Sequence, residues 1–344
     1  MKTKMRIMTI TNDQSFNAGP KAPRDIISIL KKEYDVKEVY LVQTNSFIKK
    51  IIYRIKMFNN MVKSKKNDEV LVLQFPMYEN SKILNKFFMF SLKRVNRDKT
   101  VILIHDLEGL RNKNENLNKQ DIERLNMAKY VIAHNEKMKK YLIDEGVESK
   151  IYTLKLFDYL CKDEEKENAE NSEAIIYAGN LVQAKSPFIY QLDEKKMNFK
   201  MNLYGIGLDK GVVNNQISYK GKFQPDELPN KLVGKLGLIW DGNYDESDQN
   251  EGMKRYTKYN NPHKLSCYLA SGVPVIAWKK AAIADFINEN NIGYTINSIY
   301  DINNISILDW NKKLENVKVI SKNVRSGYYT KKIFEDIVKD MKGE

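Results

Sequence analysis

Cysteine and histidine are scarce in this chain of 344 residues: Cys161 and Cys267, with His105, His134 and His263, are all there are. Two thiols make no disulfide framework, so nothing asks for an oxidising compartment and a reducing cytosol fits. Scattered in this way, the five side chains also give no zinc-ligand spacing. No apolar run approaches the ~18–20 residues of a membrane span. Residues 1–10 are short and basic and run straight into a strand pattern, without the apolar centre of a signal peptide. The expectation is a cytoplasmic globular protein.

Several catalytic signatures are missing as well. There is no GxGxxG, no GxSxG elbow and no Walker A lysine loop, which argues against a dinucleotide fingerprint, a serine-hydrolase elbow and a P-loop. No Asp-x-Asp pair follows a strand pattern, and Glu246-x-Asp248 falls in a polar loop, so metal-bridged diphosphate binding is not expected.

What the chain has in excess is positive charge, 57 Lys and Arg against 44 Asp and Glu, a formal +13. Such an excess attracts phosphorylated substrates, anionic lipid or nucleic acid. Most of the lysines, however, alternate with acids along the chain, as on a solvated surface, and no RRM, KH or zinc signature points to nucleic acid. Residues 48–66 differ. Lys49, Lys50, Arg54, Lys56, Lys63, Lys65 and Lys66 stand there among Ile51, Ile52, Ile55 and Met57. That pattern fits a basic amphipathic helix on a membrane or partner, but an ordinary surface helix is the leading reading.

Short apolar runs alternate with longer amphipathic stretches through the first half. Strands are predicted at 6–10, 38–42, 70–74, 100–105, 130–133 and 150–154, with helices at 22–33, 47–62, 81–95, 119–127 and 136–145. The polar stretch 158–173 reads as an inter-domain linker. The alternation then resumes, with strands at 174–178, 201–205, 216–219, 236–241, 273–278 and 293–296 and helices at 225–233, 262–271 and 281–290. This predicts two doubly wound parallel-sheet domains, 1–157 and 174–308, with 309–344 helical and packing back towards the first. Residues 241–255 read as a mobile polar loop. Ligands of such sheets bind beyond the carboxyl ends of the strands, so function is expected in the loops there.

Four loops carry chemistry. In 9–25 (TITNDQSFNAGPKAPRD), Asn17, Gly19 and Pro20 allow an open turn before a helix start suited to an anion or hydroxyls. His105 and Asp106 end the fourth strand and could supply a general base, or could be a strand-end histidine and a cap. His134, followed by Asn135, reads as a capped strand end. Tyr177-Ala178-Gly179-Asn180, with Lys185 at the next helix start, repeats the anion-site logic, and Tyr204 could stack on a base or belong to the core. The fourth loop is the most telling. In 259–276 (YNNPHKLSCYLASGVPVI), Lys264 and Ser266 fall in the first helical turn, beside unpaired backbone amides. A cation there opposes the helix dipole unless an anion shares the site. Leu265 and Leu269 recur at helical spacing and read as core.

These residues resemble the GT-B glycosyltransferases, and more narrowly two groups: glucosyltransferases that extend GlcNAc on serine-rich-repeat adhesins, and bacterial β-1,6-galactofuranosyltransferases. The resemblance rests on Ile104-His105-Asp106, Gly179-Asn180, Gly237-Leu238-Ile239-Trp240, His263-Lys264-Leu265 and Ala270-Ser271-Gly272-Val273-Pro274-Val275-Ile276; Asn17-Ala18-Gly19-Pro20-Lys21-Ala22 is nearer the galactofuranosyl group. It implies two Rossmann-like domains facing across a cleft. It implies UDP held by Lys185, Tyr204 and the stretch containing Asn261, His263, Lys264, Leu265 and Ser266, with Tyr259, Asn17, Gly19, Gly179 and Asn180 contributing, and no metal or other cofactor. Where many GT-B enzymes place a ribose-binding Glu, this chain has Cys267. The implied reaction is attack by an acceptor hydroxyl on the anomeric carbon, with Asp106, directly or through His105, as base and Lys264, Lys185 and helix amides receiving UDP. Glucose transfer from UDP-glucose to a GlcNAc-modified protein is the leading expectation. Galactofuranose transfer to a lipid-linked polysaccharide precursor and a non-catalytic GT-B partner are the alternatives. A peripheral membrane contact and a homo-oligomer stay open.

Overall fold

The computed structural model describes residues 2–10, 19–41, 46–77, 82–162, 172–244, 254–306 and 309–344. The chain divides into two compact units, one formed by 1–14, 22–154 and 329–344, the other by 15–21 and 155–328.

Each predicted strand is present in the structure. In the first unit these are β1 (Lys4–Ile10), β2 (Asp35–Leu41), β3 (Val70–Phe75), β4 (Thr100–Ile104), β5 (Tyr130–Ala133) and β6 (Lys150–Thr153). They pair in parallel in the order β2-β1-β3-β4-β5-β6. The central strands are almost wholly apolar, with every residue buried, as a sheet covered on both faces requires. The covering helices are α1 (Lys21–Glu33), α2 (Phe47–Lys66), α3 (Lys82–Leu92), α4 (Glu108–Arg111), α5 (Glu115–Leu125) and α6 (Glu136–Asp144). Asn135 caps α6 by accepting from the Met138 amide at 2.9 Å, while His134 is buried with Nε2 3.0 Å from the Ile104 carbonyl. Both therefore have structural roles.

The second unit holds β7 (Ile175–Asn180), β8 (Met201–Ile206), β9 (Ile217–Gly221), α7 (Leu228–Lys231), β10 (Leu236–Ile239), α8 (Lys254–Thr257), α9 (His263–Ala270), β11 (Val275–Trp278), α10 (Ile283–Glu289) and β12 (Gly293–Ile296). The strand order is β12-β11-β10-β7-β8-β9, all parallel. Chain progression runs outward in opposite directions from β7 and β10, so the topological switch point lies between them.

Two expectations about connecting segments change. The linker placed at 158–173 does not begin as a free tether: Asp158 and Tyr159 are buried, and the Tyr159 hydroxyl donates to the Pro225 carbonyl at 2.7 Å. The apolar and aromatic content of Tyr159-Leu160-Cys161 gives these residues a reason to pack. The helices of 309–344 also do not all join the first unit. The segment breaks at Gly327, whose left-handed φ of 84° ends α11 (Trp310–Ser326) before α12 (Tyr328–Lys342) begins. Val317, Ile320 and Val324 are buried on α11, which packs on α9 in the second unit, where Arg325 donates to the Ala270 carbonyl at 3.2 Å. Residues 329–344 belong to the first unit, tied by Lys331–Glu33 at 2.9 Å and Lys150–Asp340 at 2.6 Å.

Candidate functional site

At the switch point of the second sheet the carboxyl ends of β7, β8 and β10 surround a cavity of about 380 Å³, a size suited to a small ligand. Two glycines shape its floor. Gly205, at φ 139°, lies against β7 so closely that a Cβ there would stand 1.8 Å from the Gly179 carbonyl oxygen. At Gly179 a Cβ would meet Lys264 Cε at 3.0 Å. Bare backbone at Gly205 thus lets the two strands approach, and bare backbone at Gly179 makes room for the lysine.

Lys264 enters from the second position of α9. Its ammonium lies 2.9 Å from the Tyr177 hydroxyl, 3.2 Å from Asp241 Oδ1 and 3.4 Å from the Trp240 carbonyl, and 4.4 Å above the Tyr177 ring. Burial alone would disfavour the charge, but Asp241 and the tyrosine hydroxyls outweigh it and the pKa is raised. Lys264 is thus cationic throughout the working pH range, and it is held by a carboxylate that the sequence reading had not assigned to the site. The signal was available: Asp241 ends a predicted strand at its carboxyl edge.

His263 lines the same cavity, tilted against Tyr159 at 4.9 Å and edge-on to Phe157 at 6.0 Å. Both ring nitrogens are buried. Burial and the neighbouring Lys21 ammonium push its pKa down to about 3, opposed in part by the Asp158 backbone, so the ring is neutral. Lys21 itself is buried, paired with Asp226 at 2.7 Å and 4.8 Å from the Tyr159 ring. Cys267 also lines the cavity, and burial raises its thiol pKa to about 12, which makes it a neutral wall. Tyr204, Phe223, Pro225 and Leu228 add apolar and aromatic surface to the lining, with Lys222 among them. The Tyr204 hydroxyl accepts from the Val233 amide at 2.9 Å, and its ring lies 6.2 Å from that of Phe223.

Of the residues singled out in the sequence, Gly19, Gly179, Asn180, Tyr204, His263 and Lys264 line this cavity. Others do different work. Ser266 is buried and donates to the Phe157 carbonyl at 2.7 Å, and Asn261 donates to the Lys155 carbonyl at 2.8 Å, so both brace the start of α9. Leu265 is core, Tyr259 stands off the lining, and Lys185 is exposed on the surface. For Leu265 and Ser266 the reason is geometric: a helix turns 100° per residue, so neighbouring positions of α9 cannot all face one cavity. Asn17, and most of the loop expected at 241–255, lie outside the described residues.

His105 and Asp106 are in the first unit, immediately beyond β4. Gln74 donates from Nε2 to the Pro23 carbonyl at 3.2 Å, which leaves its Oε1 to accept from His105 Nε2 at 2.7 Å. Neutral His105 therefore carries its proton on Nε2 and its lone pair on Nδ1. Asp106 pairs with Arg111 at 3.3 Å. Among the described residues no three His, Cys, Asp or Glu side chains cluster as a metal site requires, and no helix is long and apolar enough to cross a membrane.

Similarity to known proteins covers nearly the whole chain. Residues 4–156 match the family model "Glucosyltransferase 3-like, N-terminal domain", and residues 175–337 match "Glucosyltransferase 3-like, C-terminal domain". The β-1,6-galactofuranosyltransferase WbbI of Escherichia coli (strain K12) is 32% identical over 346 residues, covering 97% of this chain and 99% of that protein. Glucosyltransferase 3 of Streptococcus gordonii is 25% identical over 288 residues, covering 79% and 80%. Among solved structures, a sucrose-phosphate synthase from Thermosynechococcus elongatus superposes with a TM-score of 0.62 at 11% identity over 99% of this chain and 98% of that one, which speaks to the fold alone. Two parallel doubly wound sheets, a switch-point cavity and both domain models matched in order lead to one conclusion: the chain belongs to the glucosyltransferase 3-like family of GT-B glycosyltransferases.

Proposed function

We propose that this protein transfers a hexosyl group from a UDP-sugar to a glycan hydroxyl, and that the sugar is galactofuranose and the acceptor a polysaccharide precursor. The observation that carries the UDP assignment is the lining of the second unit's cavity, which combines a permanent cation with aromatic rings. A cation over a glycine floor suits a pyrophosphate, and the Tyr204–Phe223 pair suits a planar base. Choice of galactofuranose follows the longer and closer of the two relatives. The glucosyl reading stands second, supported by the family models and by the Streptococcus gordonii relative.

In this reading Lys264 meets the charge that grows on the leaving diphosphate, which lowers the barrier without a divalent metal. Asp241 would repel a phosphate placed directly against it. It therefore orients Lys264 and accepts hydroxyls of the donor sugar, while the phosphates take the opposite side of the ammonium. His263, neutral, contributes the face of its ring to the cavity wall. Asp106 takes the proton of the attacking hydroxyl, with His105 Nδ1 as the alternative base.

The test is a UDP-release assay with UDP-galactofuranose and UDP-glucose, each with glycan acceptors and with or without EDTA. Turnover of the galactofuranosyl donor that survives EDTA is expected. Turnover of UDP-glucose alone transfers the assignment to the second reading. A calorimetric titration that shows no UDP binding removes both.

A further inference from the structure

A second feature lies in the first unit and is independent of the sugar-transfer reading. Five of the twelve large hydrophobic side chains exposed among the described residues fall on α2 and α3: Ile48, Ile52, Ile55, Phe87 and Phe90. Each is at least 45% exposed, and Ile48 is 70% exposed. They form one surface. Ile48, Ile52 and Ile55 follow the i, i+4, i+7 spacing of one helical face, and Phe58, one turn on, stacks on Phe87 with ring centroids 6.5 Å apart. Phe90 continues the line along α3 and is covered by the Arg94 guanidinium at 3.2 Å.

The charge around this surface has one sign. Neither 47–66 nor 82–94 contains an Asp or Glu. Lys49, Lys56 and Lys63 recur every seven residues, so they line one flank of the apolar face of α2, and all three are exposed. Lys86 and Lys93 are exposed on α3. Elsewhere on this unit lysines sit in ion pairs, such as Lys99–Asp68 at 2.6 Å and Lys150–Asp340 at 2.6 Å. Among the described residues these five lysines make none.

The geometry points to α2 and α3 as a docking face for an anionic lipid bilayer, with the isoleucines and phenylalanines entering the headgroup boundary and the lysines contacting lipid phosphates. Apolar burial and attraction to acidic headgroups add for such a face, whereas an acidic protein would be served by the lysines alone. Exposed apolar groups bordered by cations of one sign are what a negatively charged, oily interface selects.

The full-length protein is sedimented with vesicles of phosphatidylcholine and of an equimolar phosphatidylcholine–phosphatidylglycerol mixture. Binding to the anionic vesicles only, weakening as salt rises, is expected. Each of Lys49→Glu and Lys56→Glu should weaken it about fivefold or more. The pair Ile52→Ser and Phe90→Ser should weaken it about tenfold or more with an unchanged melting temperature, since both side chains are already exposed. Equal binding to neutral vesicles, binding to neither, or an unaltered Ile52→Ser/Phe90→Ser variant would overturn the assignment. So would a dimer in light scattering that the same variant dissociates, which would give this face to a second copy. Each variant is also titrated with UDP. Retained UDP binding in a vesicle-negative variant separates failure of this inference from failure of the transferase reading.

Discussion

The two sheets have the same number of strands, the same parallel pairing and the same two-sided burial, yet their carboxyl edges are built from different materials. In the second unit that edge is glycine: Gly179 and Gly205 remove side chains so that backbone, Lys264 and Asp241 can approach one another. In the first unit it is titratable: His105 and Asp106 follow β4, with Gln74 and Arg111 holding them. A floor without side chains lets a ligand come within contact of the backbone. An edge of acids and imidazoles offers groups that can exchange protons, which is the role proposed above for Asp106. Similar layers therefore end in different chemistry, and the difference lies in which residues the strands end on.

That division can be broken from either side. The largest effect is expected at the first unit's edge. Asp106→Asn should lower kcat by about 10²–10⁴ while UDP affinity by calorimetry stays the same; a variant that keeps its turnover takes Asp106 out of the chemistry. Next, Lys264→Ala should weaken UDP binding about 100-fold, because it removes the pyrophosphate's cation and leaves Asp241 uncompensated. Adding Asp241→Asn should restore part of the affinity, and an unchanged dissociation constant in the single variant would clear Lys264 of any role. A smaller loss, about tenfold, is expected for Gly179→Ala, whose methyl presses on a flexible lysine end, as measured by the same titration.

A further effect, on stability rather than on binding or turnover, is expected in acid and has one source in each unit. Burial pushes His134 down to about 4 and, with Lys21 nearby, His263 down to about 3. Below the unfolded value of about 6.5 the unfolded chain binds protons that the folded one refuses, so stability falls with pH by about 1.4 kcal/mol per unit for each histidine. The loss begins near neutrality and ends only below the two folded values. Replacing His134 or His263 by Asn should each flatten the decline in melting temperature between pH 7 and pH 5. UDP affinity should stay level over the neutral range, since Lys264 remains charged and His263 neutral.

Much of this was legible along the chain. The twelve strands could be read because a parallel strand buried on both faces must be an apolar run, and such runs stand out between polar turns. Lys264 could be read because a cation at a helix start breaks a local electrostatic rule. Ser266 and Asn261 misled for the complementary reason. Their polar atoms suggested a ligand, but they face main-chain carbonyls at Phe157 and Lys155, more than a hundred positions away in the chain. Phe223, Pro225 and Leu228 gave no signal, because an apolar residue in a loop looks the same whether it lines a cavity or fills a core.

The sequence by itself determined the periodicities, and through them two parallel α/β sheets, the helix starts and the places where charge violates local preference. These are properties of neighbours within a few residues. Only the tertiary structure decided which of those neighbours share a cavity. Lys264 finds Asp241 across a strand switch, Gly205 yields to Gly179 on the next strand, and the segment after Gly327 leaves α11 for the first unit. Each depends on chain crossings that carry no local mark, because packing distance and sequence distance are set by different constraints.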